Sequence, residues 1–178
     1  MKSVLISIKP KYVELIVNGE KTIEVRKSAP KEVPFKAYIY ETKGATEMPW
    51  VDEDGHFIYK GRGQVIGEFI CDKVMFLTPL GLRGFEMRDE ILKSICLTND
   101  DLNAYGGLKT LYGWHISDLK IYDKPKELSE FNRITDKCVF NKDGVCQNRK
   151  QNQVILCKNL DCDCKKIVRP PQSWCYVE

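Results

Sequence analysis

The stretch NGEKTIEVR, residues 18–26, decides how the chain is read. Its second half alternates as a β-strand does: Ile23 and Val25 share one face, and Thr22, Glu24 and Arg26 share the other. Three readings of the charged set Lys21, Glu24 and Arg26 follow. It is a solvent-facing ion pair of little energetic weight, a catalytic set in which a desolvated Lys21 acts as nucleophile or base and Glu24 shuttles protons, or a polar floor that holds a phosphate and a base edge, with Arg26 as a bidentate donor and Glu24 accepting from an exocyclic amine.

Upstream, SVLISI (3–8) is a short β-branched run, and KYVELIVNG brings Tyr12, Leu15 and Ile16 onto one helical face. Pro10 suits the first helical turn, and Gly19 suits the left-handed residue just past the helix end, from which the backbone enters the strand. Downstream, FKAYIYET (35–42) reads as a third strand and Asp54-Gly55 as a hairpin tip. GQVIGEFICDKVMF (63–76) reads as one bent strand whose alternation slips near Asp72, as at a bulge. Two short helices are expected at 85–95 and 99–107, the second opened by Thr98 and Asp101 at capping-box spacing. LYGWHISDLKIYD (111–123) returns to strand, with Tyr112, Trp114 and Ile116 on one face and His115 and Ser117 on the other. SWCYVE (173–178) reads as a last strand. Strands with irregular spacers and short helices predict an α+β fold, a curled mixed sheet or small barrel and not a parallel α/β sheet.

The 178 residues fit one ordinary domain with a small appendage. A net charge of +3 does not mark a generic polyanion binder, but residues 1–36 hold eight Lys/Arg against four acids, so a local basic face is expected. The opening apolar run is too short for an export signal, and no stretch approaches the ~20 apolar residues of a membrane helix. The expectation is a soluble, cytoplasmic protein without a membrane partner. In that setting the eight cysteines read as thiols or metal ligands before disulfides.

SIKPKYVELIVNGEKTIEVRK (7–27) resembles the signature region of ASCH domains, whose Gly-x-Lys-x-x-Glu-x-Arg pattern is met by Gly19, Lys21, Glu24 and Arg26. Residues 112–131 and RPPQSWCYVE (169–178) are also similar to segments of short prophage-type bacterial ASCH proteins. The resemblance implies an ASCH domain over 1–131, a cysteine-rich insertion over 132–168, and a closing strand over 169–178. It implies a PUA-like barrel with a cleft between barrel and helix that binds RNA or a modified nucleoside or nucleotide. One branch of the family removes the acyl group of N4-acetylcytidine with a Lys, a Thr and a Glu. Lys21 stands at that lysine, Glu24 stands where the threonine would be, and Glu86, Asp89 and Glu90 compete for the third place. As an enzyme the chain would use Lys21 and Glu24 catalytically. The replacement of Thr by Glu leads to the expectation of weak or absent hydrolysis, with Lys21 held as an ion-paired ammonium.

Around this cleft the candidate ligand-binding set is Lys9, Lys21, Glu24, Arg26, Trp114, His115 and Ser117. Lys9, at the end of the first strand, either neighbours Lys21 or is simply solvated. Tyr112 and Trp114, with Trp50 in the hairpin, either stack a base or form ordinary core. His115 is either part of a polar face or a plainly hydrogen-bonded histidine.

Beyond residue 137 six cysteines cluster. Four thiolates from Cys138, Cys146, Cys157 and one of Cys162 or Cys164 would close a structural zinc site in a segment with little apolar content of its own. Cys175 reads as core, and Cys71 and Cys96 as free thiols. Three functions are therefore in play: a nucleotide- or RNA-binding module, an amidohydrolase on N4-acylated cytidine, and an interaction protein docking an unknown protein partner through its cysteine-rich tail.

Overall fold

The structure is a computed structural model and describes residues 1–44, 50–51, 57–58, 61–134 and 166–178. It contains β1 (Lys2–Ile8), α1 (Pro10–Val17), β2 (Ile23–Arg26), β3 (Phe35–Glu41), β4 (Trp50–Val51), β5 (Phe57–Ile58), β6 (Val65–Cys71), β7 (Val74–Leu77), α2 (Asp89–Ile95), α3 (Asn99–Gly106), β8 (Leu111–His115), β9 (Ser117–Lys126) and β10 (Trp174–Val177).

Two sheets carry the architecture. A five-stranded mixed sheet has the order β10-β1-β3-β6-β9, and a three-stranded antiparallel sheet has the order β2-β8-β7; β4 and β5 form a separate antiparallel pair. β1 and β3 run parallel, so the chain between them must cross over, and it does so through α1 and β2. β10 pairs antiparallel with β1, Val4 opposite Tyr176. The two sheets do not close into one barrel among the described residues.

The link between the sheets corrects the two long strands expected from the sequence. Residues 63–76 divide into β6 and β7 at Asp72-Lys73, and 111–123 divide into β8 and β9 at Ile116. Both chains leave one sheet for the other at the same place, because β6 pairs β9 and β7 pairs β8. The slip near Asp72 is this crossing and not a bulge within one strand. The crossing is stitched by His115 N–H to the Lys73 carbonyl at 3.0 Å, the Ser117 hydroxyl to the Ile70 carbonyl at 2.9 Å, and His115 Nδ1 to Asp72 Oδ1 at 2.6 Å.

α1 begins with Pro10 at its first turn and is followed by Gly19 at φ +76°, a left-handed backbone that favours glycine. It buries Val13 and Ile16, with Tyr12 and Leu15 partly covered, so its inner face is rotated from the one read off the sequence. α3 has the expected capping box: the Thr98 hydroxyl accepts from Asp101 N–H at 3.1 Å, and Asp101 Oδ2 accepts from Thr98 N–H at 2.8 Å. α2 is shorter than expected. Phe85 lies outside it, 1 % exposed, in an apolar cluster with Ile23, Val25, Leu77, Ile95, Leu102 and Leu111. A second cluster fills the space between the sheets and α1, from Val4, Ile6 and Phe35 to Trp114, and a third covers the far face of the five-stranded sheet around Leu5, Tyr40 and Phe131.

Candidate functional site

The three-stranded sheet has two faces, and β2 places residues on both. Ile23 and Val25 turn toward α2 and α3, joining their apolar cluster. Glu24 and Arg26 turn the other way, into the seam between the two sheets, where Trp114 lies directly across from Glu24 and Tyr112 directly across from Arg26. These charged side chains are buried: Lys21 is 2 % exposed, Glu24 5 % and Arg26 9 %. The solvent-facing ion pair is thereby excluded for this set, since covering β2 on both faces removes the water that would have solvated it.

Lys21 is delivered by the end of α1. With Gly19 left-handed, the Glu20 and Lys21 N–H groups both donate to the Leu15 carbonyl at 2.9 Å, and Thr22 N–H then donates to Ser94 O at 3.0 Å in α2. The Lys21 ammonium lands on the C-terminal end of α2, where it donates to the Ile95 carbonyl, one of the acceptors a helix end leaves unsatisfied. It also lies 5.2 Å from the Tyr12 ring centroid and 3.6 Å from Glu24 Oε2. Glu24 Oε1 meets Arg26 at 3.0 Å, and the same guanidinium nitrogen donates to the Ser7 carbonyl in β1 at 2.6 Å. One carboxylate thus sits between two cations, and the arginine spans the seam from one sheet to the other.

Burial lowers the Lys21 pKa from its ordinary value and outweighs the opposing pull of Glu24. This differs from the expectation of an ammonium firmly held by Glu24: at 3.6 Å the carboxylate attracts the charge without making a close hydrogen bond, while desolvation acts in full.

Among the described residues, three buried side-chain polar atoms have no hydrogen-bond partner: Arg26 Nε, Trp114 Nε1, and Glu24 Oε2, whose contact with Lys21 is the ion pair at 3.6 Å. Buried polar groups are normally satisfied, and leaving one unpaired costs about 1–3 kcal/mol. Two donors and one acceptor are thus left without hydrogen bonds on residues of one sheet face. Trp114 is fully buried, edge-on to Phe35 at 5.0 Å and to Trp174 at 5.7 Å, so its ring is core and not a stacking surface.

The remaining expected residues are not gathered here. Lys9 is exposed at the N-terminal cap of α1. His115 pairs with Asp72, whose pKa is lowered first by that hydrogen bond, and Ser117 is bound to Ile70; both serve the crossing between the sheets. Glu86, Asp89 and Glu90 are exposed, and the last two lie in the first turn of α2, the opposite end from the carbonyl that takes Lys21. Sequence reasoning missed Tyr12 as the ring over Lys21, and the carbonyls of Ser7 and Ile95 as anchors. Backbone acceptors leave no signature in residue type, and Tyr12 was read only as helix core.

Of the cysteines, Cys71 is buried with its pKa raised to about 12 by desolvation, and Cys96 and Cys175 are partly buried free thiols. Cys138, Cys146, Cys157, Cys162 and Cys164 lie outside the described residues, as does most of the 132–168 segment; the side chain of Trp50 does too. Among the described residues, no group of three or more His, Cys, Asp or Glu side chains is placed to hold a metal, and no helix is long and apolar enough to cross a membrane.

Comparison with known proteins bears on this geometry. A search of curated proteins finds no match. Among solved structures, the crystal structure of ASCH from Zymomonas mobilis superposes with a TM-score of 0.53 at 17% identity, over 99% of this chain and 88% of that one. A serine-to-alanine mutant of the same Zymomonas mobilis protein gives 0.52 at 17% identity, over 99% and 89%. At that identity the likeness establishes the fold, a mixed α+β arrangement of two sheets with short helices. Residues 6–89, which hold the end of β1, α1, the whole Lys21-Glu24-Arg26 set and the first residue of α2, match the model of the ASCH domain. Over those residues the chain matches the ASCH domain, and as a whole it shares the fold of solved ASCH structures.

Proposed function

We propose that the protein binds RNA or a modified nucleotide at the seam, with Lys21, Glu24 and Arg26 as the polar floor. The observation that carries this reading is a buried sheet face on which two cations share one carboxylate while Arg26 Nε, Trp114 Nε1 and Glu24 Oε2 lack hydrogen bonds among the described residues. A nucleobase edge offers both an amine donor for Glu24 and carbonyl or ring-nitrogen acceptors for Arg26 and Trp114. The excess positive charge suits an adjoining phosphate.

The test is anisotropy of a labelled short single-stranded RNA over a range of salt. Affinity should fall with salt, because the phosphate part of binding releases counterions. Lys21→Ala and Arg26→Lys should each weaken it, with melting temperature recorded alongside to separate loss of the site from loss of the fold. Equal binding by wild type and folded Lys21→Ala refutes the assignment.

One observation favours a second reading, hydrolysis of an N4-acylated cytidine. The lowered pKa of Lys21 increases its share of neutral amine, the form able to accept a proton from an attacking water. Release of cytidine from N4-acetylcytidine that disappears in Lys21→Ala would promote the enzyme; no release by wild type would remove it. The zinc staple is a separate proposal that rests on sequence alone, and elemental analysis of protein purified under reducing conditions decides it.

A further inference from the structure

The polar floor is continued sideways by aromatic rings. Across the three-stranded sheet, Arg26 on β2 is register partner to Tyr112 on β8, and Tyr112 is partner to Phe76 on β7, so the three side chains form one row on one face. Exposure rises along the row: Arg26 is 9 % exposed, Tyr112 is partly buried, and Phe76 is 69 % exposed on the edge strand. The two rings meet edge to face at 5.5 Å between centroids. The neighbouring row, Glu24, Trp114 and Val74, lies deeper and packs into the core between the sheets. The face is therefore a ramp from buried ions to an open phenyl ring.

A single exposed phenylalanine needs no explanation. Phe76 differs because it ends a row whose other end holds the unpartnered Arg26 Nε. Exposed Lys109 stands two residues before β8 at this end of the sheet, whereas Lys27, next after Arg26, is on the helix side with its ammonium 4.8 Å from the Tyr105 ring centroid. Flat rings beside an exposed lysine are what single-strand binders present to unpaired bases and their phosphates.

We infer that Tyr112 and Phe76 form a stacking platform for an unpaired base of single-stranded RNA, next to the base or nucleotide held by Glu24 and Arg26. This rests on the nucleotide-binding reading above and extends it from one nucleotide to at least two successive ones. Phe76 supplies the ring face, Tyr112 holds that ring at its angle, and Lys109 stands at the end of the sheet where a backbone phosphate would leave the site.

The experiment compares a labelled single-stranded RNA of mixed sequence with an abasic oligomer of the same length and charge, using the full chain as wild type, Phe76→Ala, Phe76→Trp and Lys21→Ala. Phe76→Ala should weaken the base-bearing strand by roughly ten-fold while leaving abasic binding and melting temperature nearly unchanged. Phe76→Trp should bind at least as well as wild type, with its indole emission quenched on stacking. If Phe76→Ala binds like wild type while Lys21→Ala is impaired, the platform is wrong and the seam site stands. If wild type binds no RNA, both fall. If wild type is a dimer that Phe76→Ala dissociates without altering RNA affinity, the ring belongs to a contact between two copies of the chain, and the inference is overturned.

Discussion

The two faces of the three-stranded sheet are made by the same strands, yet they are built on opposite principles. Toward the helices, Ile23, Val25, Leu77 and Leu111 pack with Phe85, Ile95 and Leu102 in an all-apolar cluster. Toward the seam, one residue along each strand, stand Glu24, Arg26, Trp114 and Tyr112. Period-two alternation on a strand usually separates core from solvent. Here it separates one buried environment from another, and only the first gains its stability from burial of apolar area. The seam face holds ions and polar atoms without hydrogen bonds, at an energetic cost.

That contrast can be broken by substitution. The largest effect is expected from Glu24→Ala, which leaves Lys21 and Arg26 buried without their carboxylate; loss of one member of a buried ionic set costs about 3–5 kcal/mol. Urea unfolding measures it, and a loss below about 1 kcal/mol would mean that the seam is wetter than its burial indicates. Next is Leu111→Ala on the apolar face, a fully buried side chain whose truncation costs about 2–5 kcal/mol. It should leave nucleotide affinity intact in molecules that remain folded, whereas Glu24→Ala should remove it; equal loss of affinity in both would erase the distinction between the faces.

The smallest effect is in pH. Because burial lowers the Lys21 pKa, the folded state binds this proton less tightly than the unfolded chain does. Folding therefore carries a penalty that is fully present below the folded pKa and is relieved as pH rises from there toward the ordinary lysine value of 10.5. In Lys21→Met the penalty is absent at every pH. The stability of wild type minus that of Lys21→Met should accordingly rise with pH on the alkaline side, and a difference that stays flat up to pH 10.5 would place Lys21 in a solvated setting.

Much of this was legible in residue order. Pro10 and Gly19 mark the bounds of α1, Thr98 and Asp101 mark the cap of α3, and the alternation of Ile23 and Val25 against Glu24 and Arg26 assigns the two faces of β2. These features are local, so the chain itself records them. The crossing between the sheets was not legible, because a strand that changes partners keeps its period of two. Only the slip at Asp72 betrays it, and Ile116 carries no Gly or Pro to mark the matching break in the other strand. Nor did the sequence reveal that the charged face of β2 is covered. That depends on how β1, on the other side of α1 in the chain, packs against it, and an uncovered strand would carry the same letters.

Ser7 ties these distant parts together. Its carbonyl accepts from Arg26 at 2.6 Å, its N–H donates to the Ser173 carbonyl at 2.9 Å, and its hydroxyl donates to the Pro171 carbonyl at 2.7 Å. A single residue near the start of the chain is thus fastened on one side to the guanidinium of the site and on the other to the approach of β10. The C-terminal strand is the back wall of the site as well as an edge of its sheet. Shortening the chain ahead of Pro171 strips Ser7 of its bonds to Pro171 and Ser173 and leaves the peptide that orients Arg26 held only through the pairing of β1 with β3.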